Sequence, residues 1–327
     1  MMSKTTLFAI ALLLAACSSG PVASLSTPAP EGARRFRFTC TVTVPALPSG
    51  TERLEVWLPL PMQDPGVQVV GPVEVIAEGA AIRATREQKY GNRMIHVAFD
   101  APRGPASISW SAVVTRFDDE GQGALPDNEW YLRGNALIPL DGAARDLASK
   151  LGTASAERSV AARARAIYDD VLGSMAYDKA HEGWGSGSFE HATTVCMGNC
   201  TDFHARFIGT SRASGIASRF TMGIPMKPGP GRYRSYHCWA HWRDGDRWHP
   251  VDISEADKIV VADPAGAARF FGHLGRDRLA MTIGRDITLV PAQAGPPLNY
   301  FVFPYAEADG EIVSLAKKDW LFEWEDV

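Results

Sequence analysis

Apolar and polar residues alternate over the first third of the chain. In "RFRFTCTVTV", residues 35–44, every second position is apolar, the period of a half-buried strand. "RLEVWLPLP", "VQVVG", "RMIHVAF" and "ASISWSAVVTRF" follow, separated by Gly, Pro and Asp clusters. Short strands at this spacing predict a β-sandwich over 34–135. From about residue 140 the period changes. "LDGAARDLASKL" and "ERSVAARARAIYDDVLGSM" have helical spacing, with Ala162, Ile167, Val171 and Leu172 available for a buried stripe. A glycine-rich loop, "EGWGSGSFE", precedes a second helix from about Thr201 to Ser214, which Gly215 ends as a C-terminal cap. "IASRFTMGI" reads as a strand, and "SYHCWAHWRDGDRWHPVDIS" as a hairpin turning at Asp244-Gly245. "PAGAARFFGHL" is a short helix. "LAMTI", "ITLV" and "NYFVFPY" return to strands, so 136–327 reads as a second, mixed domain ending in strands.

The first residues read differently. A short basic start, the apolar run "TTLFAIALLLAA" and then Cys17 form a secretory signal, too short to span a bilayer. Leu14-Ala15-Ala16-Cys17 resembles a bacterial lipobox, which implies a signal peptide over 1–16 and lipid on Cys17. Residues 17–33 then form a flexible Ser/Pro/Ala/Gly tether. An exported protein anchored by lipid in the envelope is expected, and Ser18 after the cysteine points to the outer membrane, facing the periplasm. The net charge of -4 and the lack of a basic stripe argue against nucleic acid as a partner. Of five cysteines, Cys40, Cys196, Cys200 and Cys238 remain, and a bridge among Cys40, Cys196 and Cys238 is open in an oxidising compartment.

"GNCTDFH", residues 198–204, carries the chemistry. It places Cys200 at the first turn of a helix, where free N–H groups and the positive dipole end stabilise a thiolate. Asp202 is an ordinary first-turn acid, and His204 a packed or hydrogen-bonded helix residue. A thiol nucleophile needs a histidine to take its proton and a third group to orient that histidine. If Asp244-Gly245 is a two-residue turn, His237 faces Asp252 across the hairpin, about 5 Å apart at Cβ. His241 then faces Trp248, and His249 points to the other side with Ala240. A three-residue turn would put Ile253 opposite His237 instead.

These words resemble the transglutaminase-like superfamily: Cys200 opening a helix that ends in Gly-Ile with Arg219 following, His237 in "YHCWAHW", and Asp252 in "WHPVDIS". The resemblance covers about residues 160 to 255. It implies an α+β fold with a papain-like core, in which the cysteine helix packs on a small antiparallel sheet carrying His237 and Asp252. It also implies acyl transfer by a Cys200–His237–Asp252 triad without a cofactor, acting on a peptide or protein. Many members carry an acid where this chain has His241, so a charged substrate contact at that position is in question. Two rivals stand beside this reading. Cys196, Cys200, His204, His237, Cys238 and His241 could supply metal ligands, although Cys196 precedes the break at Gly198-Asn199 and His237 and Cys238 point to opposite faces. Alternatively, the domain could bind a peptide without turnover. Trp184 could wall the cleft or cover a core, and Trp239 is expected to pack beside His237.

Overall fold

The computed structural model describes residues 29–327. The signal peptide, Cys17 and most of the tether lie outside the described residues. Six strands come first: β1 (Ala33–Val44), β2 (Arg53–Pro59), β3 (Gln68–Ile76), β4 (Ala81–Arg86), β5 (Arg93–Asp100) and β6 (Ala106–Phe117). The helical part holds α1 (Ala143–Lys150), α2 (Val160–Ser174), β7 (Ala176–Tyr177), α3 (Phe189–Val195), β8 (Met197–Gly198) and α4 (Cys200–Ala213). Then come β9 (Ser218–Pro225), β10 (Gly231–Tyr233), β11 (His237–Asp244), β12 (Arg247–Val251), α5 (Ile253–Ile259) and α6 (Pro264–Arg269). Last are β13 (Arg278–Ile283), β14 (Tyr305–Ala308), β15 (Glu311–Ile312) and β16 (Trp320–Asp326).

The alternation in β1 buries Phe36, Phe38, Cys40, Val42 and Val44 and leaves the intervening residues partly or fully exposed. These side chains meet Leu54, Val56, Val97 and Phe99 from a facing sheet in one core. The sandwich expected from the pattern is present, but it is not built from residues 34–135 alone. One sheet runs β10-β16-β1-β6-β3 and the other β15-β14-β2-β5-β4. Strands from the half expected to form the second domain therefore complete both sheets: β16 pairs with β1 from Phe36↔Asp326 to Val42↔Trp320, and β14 pairs with β2. The reason is burial, since Trp320, Phe322 and Trp324 fill the sandwich core. "ITLV" forms no strand, and Ile287 makes only an isolated bridge to Leu298.

The other core is a four-stranded antiparallel sheet, β12-β11-β9-β13, on which α4 lies. Helices α1, α2, α3 and α5 also pack on α4, and every residue from Cys200 to Arg212 is buried. A helix buried on all sides must satisfy its polar residues internally. Arg206 pairs with Asp170 at 2.8 Å, and Arg212 donates to the carbonyls of Arg133 and Ser218. In α2 the buried stripe is Ala164, Ile167, Tyr168 and Val171, and Ala162 and Leu172 are only half-buried. Helix α3 is an addition to the expected elements. It is seven residues long with β-branched Thr193-Thr194-Val195 at its end, and Ser188 caps it through a hydrogen bond to the N–H of His191.

Candidate active site

Cys200 is the first residue of α4, and Asn199 is its N-cap, accepting from the N–H of Thr201 at 2.8 Å. Asp202 closes the capping box by accepting from the N–H of Asn199 at 2.9 Å. The same carboxylate accepts from Gly185 at 2.7 Å and Gly187 at 2.9 Å. Asp202 thus ties the glycine-rich loop to the start of the cysteine helix, a larger role than balancing the dipole. Beside it, β8 runs parallel to β7 and sets Tyr177 against Gly198. In the first turn the N–H of Cys200 has no intrahelical acceptor.

His237 opens β11, and Asp252 follows β12 as the N-cap of α5. The hairpin that joins them has a different register from the expected one. Asp244 pairs with Arg247, so the turn is Gly245-Asp246, and His241 faces Pro250 while Arg243 faces Trp248. Every pairing moves by two residues. A shift of two preserves the face of each side chain, so Asp252 falls diagonal to His237 instead of opposite it. Diagonal neighbours lie within reach of long side chains. His237 Nε2 meets Asp252 Oδ2 at 2.6 Å. His249 is on the other face, its ring stacked on Trp242 at 4.5 Å between centroids.

The other ring nitrogen of His237 is left for Cys200, and the two side chains are hydrogen-bonded. Hydrogen bonds from the Cys238 thiol and then from His237 hold the Cys200 thiol well below its ordinary value, against the effect of burial. Burial opposes charge on His237, but Asp252 and then Cys200 overcome it and raise the imidazole to about 10. Asp252 is fully buried, yet His237 and Arg278 keep its carboxyl well below the usual range. Its two oxygens accept from four donors. Oδ2 takes His237 and Arg278 Nη1, the latter at 2.5 Å, while Oδ1 takes the Ser254 hydroxyl at 3.0 Å and the N–H of Glu255 at 3.1 Å. The arrangement favours the thiolate of Cys200 and the protonated ring of His237, and fixes that ring from behind.

Two of these contacts were not visible in the sequence. His204 donates from Nδ1 to the Cys200 carbonyl at 2.7 Å, and its Nε2 accepts from the N–H of Ile253 at 3.2 Å. A carbonyl can only accept and an amide N–H can only donate, so His204 is neutral and its tautomer is fixed. Burial lowers its proton affinity in the same sense. Arg278 comes from β13, 26 residues past Asp252, with no local word to mark it.

The remaining expected residues fall as follows. Cys238 is buried against α4, 3.9 Å from Thr201 Oγ1 and 3.8 Å from His204 Nδ1. Cys196 caps α3 in a left-handed conformation, and its sulfur hydrogen-bonds the Thr193 carbonyl and Arg206. Cys40 sits in the sandwich core, and all four described cysteines are free thiols. Cys196 and His241 are thus engaged away from Cys200, and both ring nitrogens of His204 are taken by backbone groups. His241 does not reach the cleft: it is 4% exposed and bonds Asp119 at 2.9 Å. Arg219 is buried near Asp64 and over the Trp248 ring. Trp239 packs with Trp248 beside His237, and Trp184, 41% exposed, lines the cleft.

That cleft, about 370 Å³, opens over Cys200 and His237. Tyr177, Trp184, Tyr233 and Tyr236 give it an aromatic wall, and Lys179, Lys258, Glu255 and Asp277 give it charges of both signs.

A cysteine helix packed on an antiparallel sheet that carries His237, with Asp252 just beyond it, defines a papain-like α+β core. Residues 145–253 match the family model of the transglutaminase-like superfamily, so the papain-like core of this chain is similar to that superfamily. An uncharacterized protein of Haemophilus influenzae is 26% identical over 356 residues, covering 93% of this chain and 94% of that protein. A solved structure of a candidate cysteine protease from Cytophaga hutchinsonii superposes with a TM-score of 0.51 at 15% identity, over 90% of this chain and 98% of that one. At that identity the likeness is one of fold.

Proposed function

We propose that this protein is a cysteine-dependent acyl-transfer enzyme acting on amide bonds. Cys200 is the nucleophile, His237 the proton carrier and Asp252 the group that orients it. The observation that carries this reading is the hydrogen-bonded line from the Cys200 thiol through His237 to Asp252 at the floor of an open cleft. The thiolate attacks a carbonyl carbon, and His237 gives its proton to the leaving amine as the C–N bond breaks. The N–H of Cys200 is placed to donate to the developing oxyanion. Water then releases the acyl group as an acid, or an amine takes it as a new amide. We favour hydrolysis of a peptide or protein substrate. The aromatic wall and mixed charges of the cleft suit an amphipathic peptide chain. The sequence-based expectation of a lipid anchor on Cys17 adds the proposal that the substrate belongs to the cell envelope.

The test is the rate of Cys200 alkylation against pH, followed by peptide mass spectrometry on the full, reduced chain. The wild type should react as a thiolate well below the free-cysteine pKa of about 8.5, and His237→Ala should lose this. Thiol titration near 8.5 in both proteins would remove the catalytic pair and leave a peptide-binding module as the better reading.

A further inference from the structure

Arg278 stands apart from the matched family stretch, 25 residues beyond its end at residue 253. It reaches Asp252 from β13, on the far side of the sheet from the hairpin. Its side chain is 8% exposed. The guanidinium lies 5.5 Å from the Trp239 ring and 5.9 Å from that of Phe270, and its Nε has no hydrogen-bond partner among the described residues. Two ring faces and one carboxylate oxygen therefore fix its plane. The oxygen is Oδ2 of Asp252, the same atom that holds His237. A cation on that oxygen withdraws negative charge from the imidazolium's carboxylate partner, and it also repels the imidazolium directly.

We propose that Arg278 is a positioning residue that sets the proton affinity of His237 by sharing Asp252 Oδ2 with it. This rests on reading Cys200 and His237 as the acyl-transfer pair. Without the cation, Asp252 would hold His237 as imidazolium too firmly for ready return of the proton to a leaving amine. Arg278 keeps the ion pair while weakening that grip. The other groups facing Asp252 do not duplicate it. From α4 comes neutral His204, and from α5 the Ser254 hydroxyl and the Glu255 N–H, while burial and the Asp252 charge hold the Tyr168 hydroxyl of α2 and the Cys238 thiol of β11 protonated. Cys200 faces the other side of His237 and favours its charged form.

The experiment is NMR titration of the histidine Cε1 signals in the full chain, with His237 assigned from the His237→Asn spectrum. Arg278→Gln keeps an amide donor and removes the charge. Arg278→Lys keeps the charge. Folding of each is checked by circular dichroism. The midpoint of His237 should rise by about one unit in Arg278→Gln and stay within a few tenths of wild type in Arg278→Lys. A folded Arg278→Gln whose His237 midpoint is unchanged or lower overturns the proposal, whatever its stability. Should Arg278→Gln not fold, a one-unit change in Arg278→Lys does the same. Failure of the underlying reading looks different: in the wild type itself, His237 would titrate near 6.5 and Cys200 near 8.5.

Discussion

Gly198 lacks a side chain for a reason that lies four residues further on. A Cβ at this position would sit 2.3 Å from Asp202 Oδ2, so only glycine lets Asp202 close the capping box. Gly198→Ala should cost about 2 kcal/mol, the sum of a strained contact and a weakened cap. Denaturant unfolding would measure this, and the alkylation rate of Cys200 should fall with it as the helix start loosens. A variant as stable and as reactive as wild type would show that the box does not hold Cys200. At this scale the sequence was informative where chemistry is local. The Gly-Asn-Cys word marks a helix start, and His237 and Asp252 fall on one face by parity alone. His204 and Arg278 were hidden because their partners lie 49 and 26 residues away, in elements whose packing no local pattern states.

Between elements, the hairpin β11–β12 is pinned to the sandwich by one buried pair. His241 on β11 bonds Asp119, two residues past the end of β6, whose backbone also pairs with Leu274. Burial, then Arg219, lowers His241 to about 4, while Asp119 stays ionised down to about 2: burial raises its pKa, but the His241 hydrogen bond and charge outweigh that. A histidine depressed in the fold contributes stability that is fully present above its unfolded pKa of about 6.5. That stability is lost as pH falls through the folded value, up to about 3 kcal/mol over this window. The thermal midpoint of the wild type should therefore fall between pH 6.5 and 4. In His241→Gln the fall should be shallower, with His204, His96 and His249, each lowered by burial, supplying the rest. Equal slopes in the two proteins would assign the acid sensitivity elsewhere. The expected register failed here because an Asp-Gly turn and a Gly-Asp turn are both good two-residue turns. The choice between them lies in the pairing with β9, where His241 faces Arg219, and not in the turn itself. Helix α3 was missed because its β-branched end has poor helical propensity and its burial under α4 decides the matter.

Over the whole molecule, the sandwich and the papain-like core share a chain but not a clean division. The alternating pattern marked the β-rich start correctly, yet it could not say that β10, β14, β15 and β16 join the same two sheets. Strand pairing over nearly 300 residues leaves no local trace. Removing residues 317–327 should strip three large aromatic side chains from the core, a loss of about 5–9 kcal/mol at 1.5–3 each. That is comparable with the stability of an entire domain. The truncated protein is expected to lose near-UV circular dichroism and to aggregate, and a soluble product with native tertiary signals would show that the sandwich closes without its last strand.

The place of β16 between β1 and β10 also sets an order of events. Strand β1 leaves the ribosome nearly 300 residues before its neighbour β16. Until Trp320, Phe322 and Trp324 arrive, the apolar face of β1 has no neighbour on that side. Such long-range pairing makes closure slow, and a waiting hydrophobic edge is what holding chaperones recognise. Closure of this sheet thus waits until the chain has been made as far as β16, and the cleft, whose Tyr233 comes from β10 on the same edge, takes shape only after that.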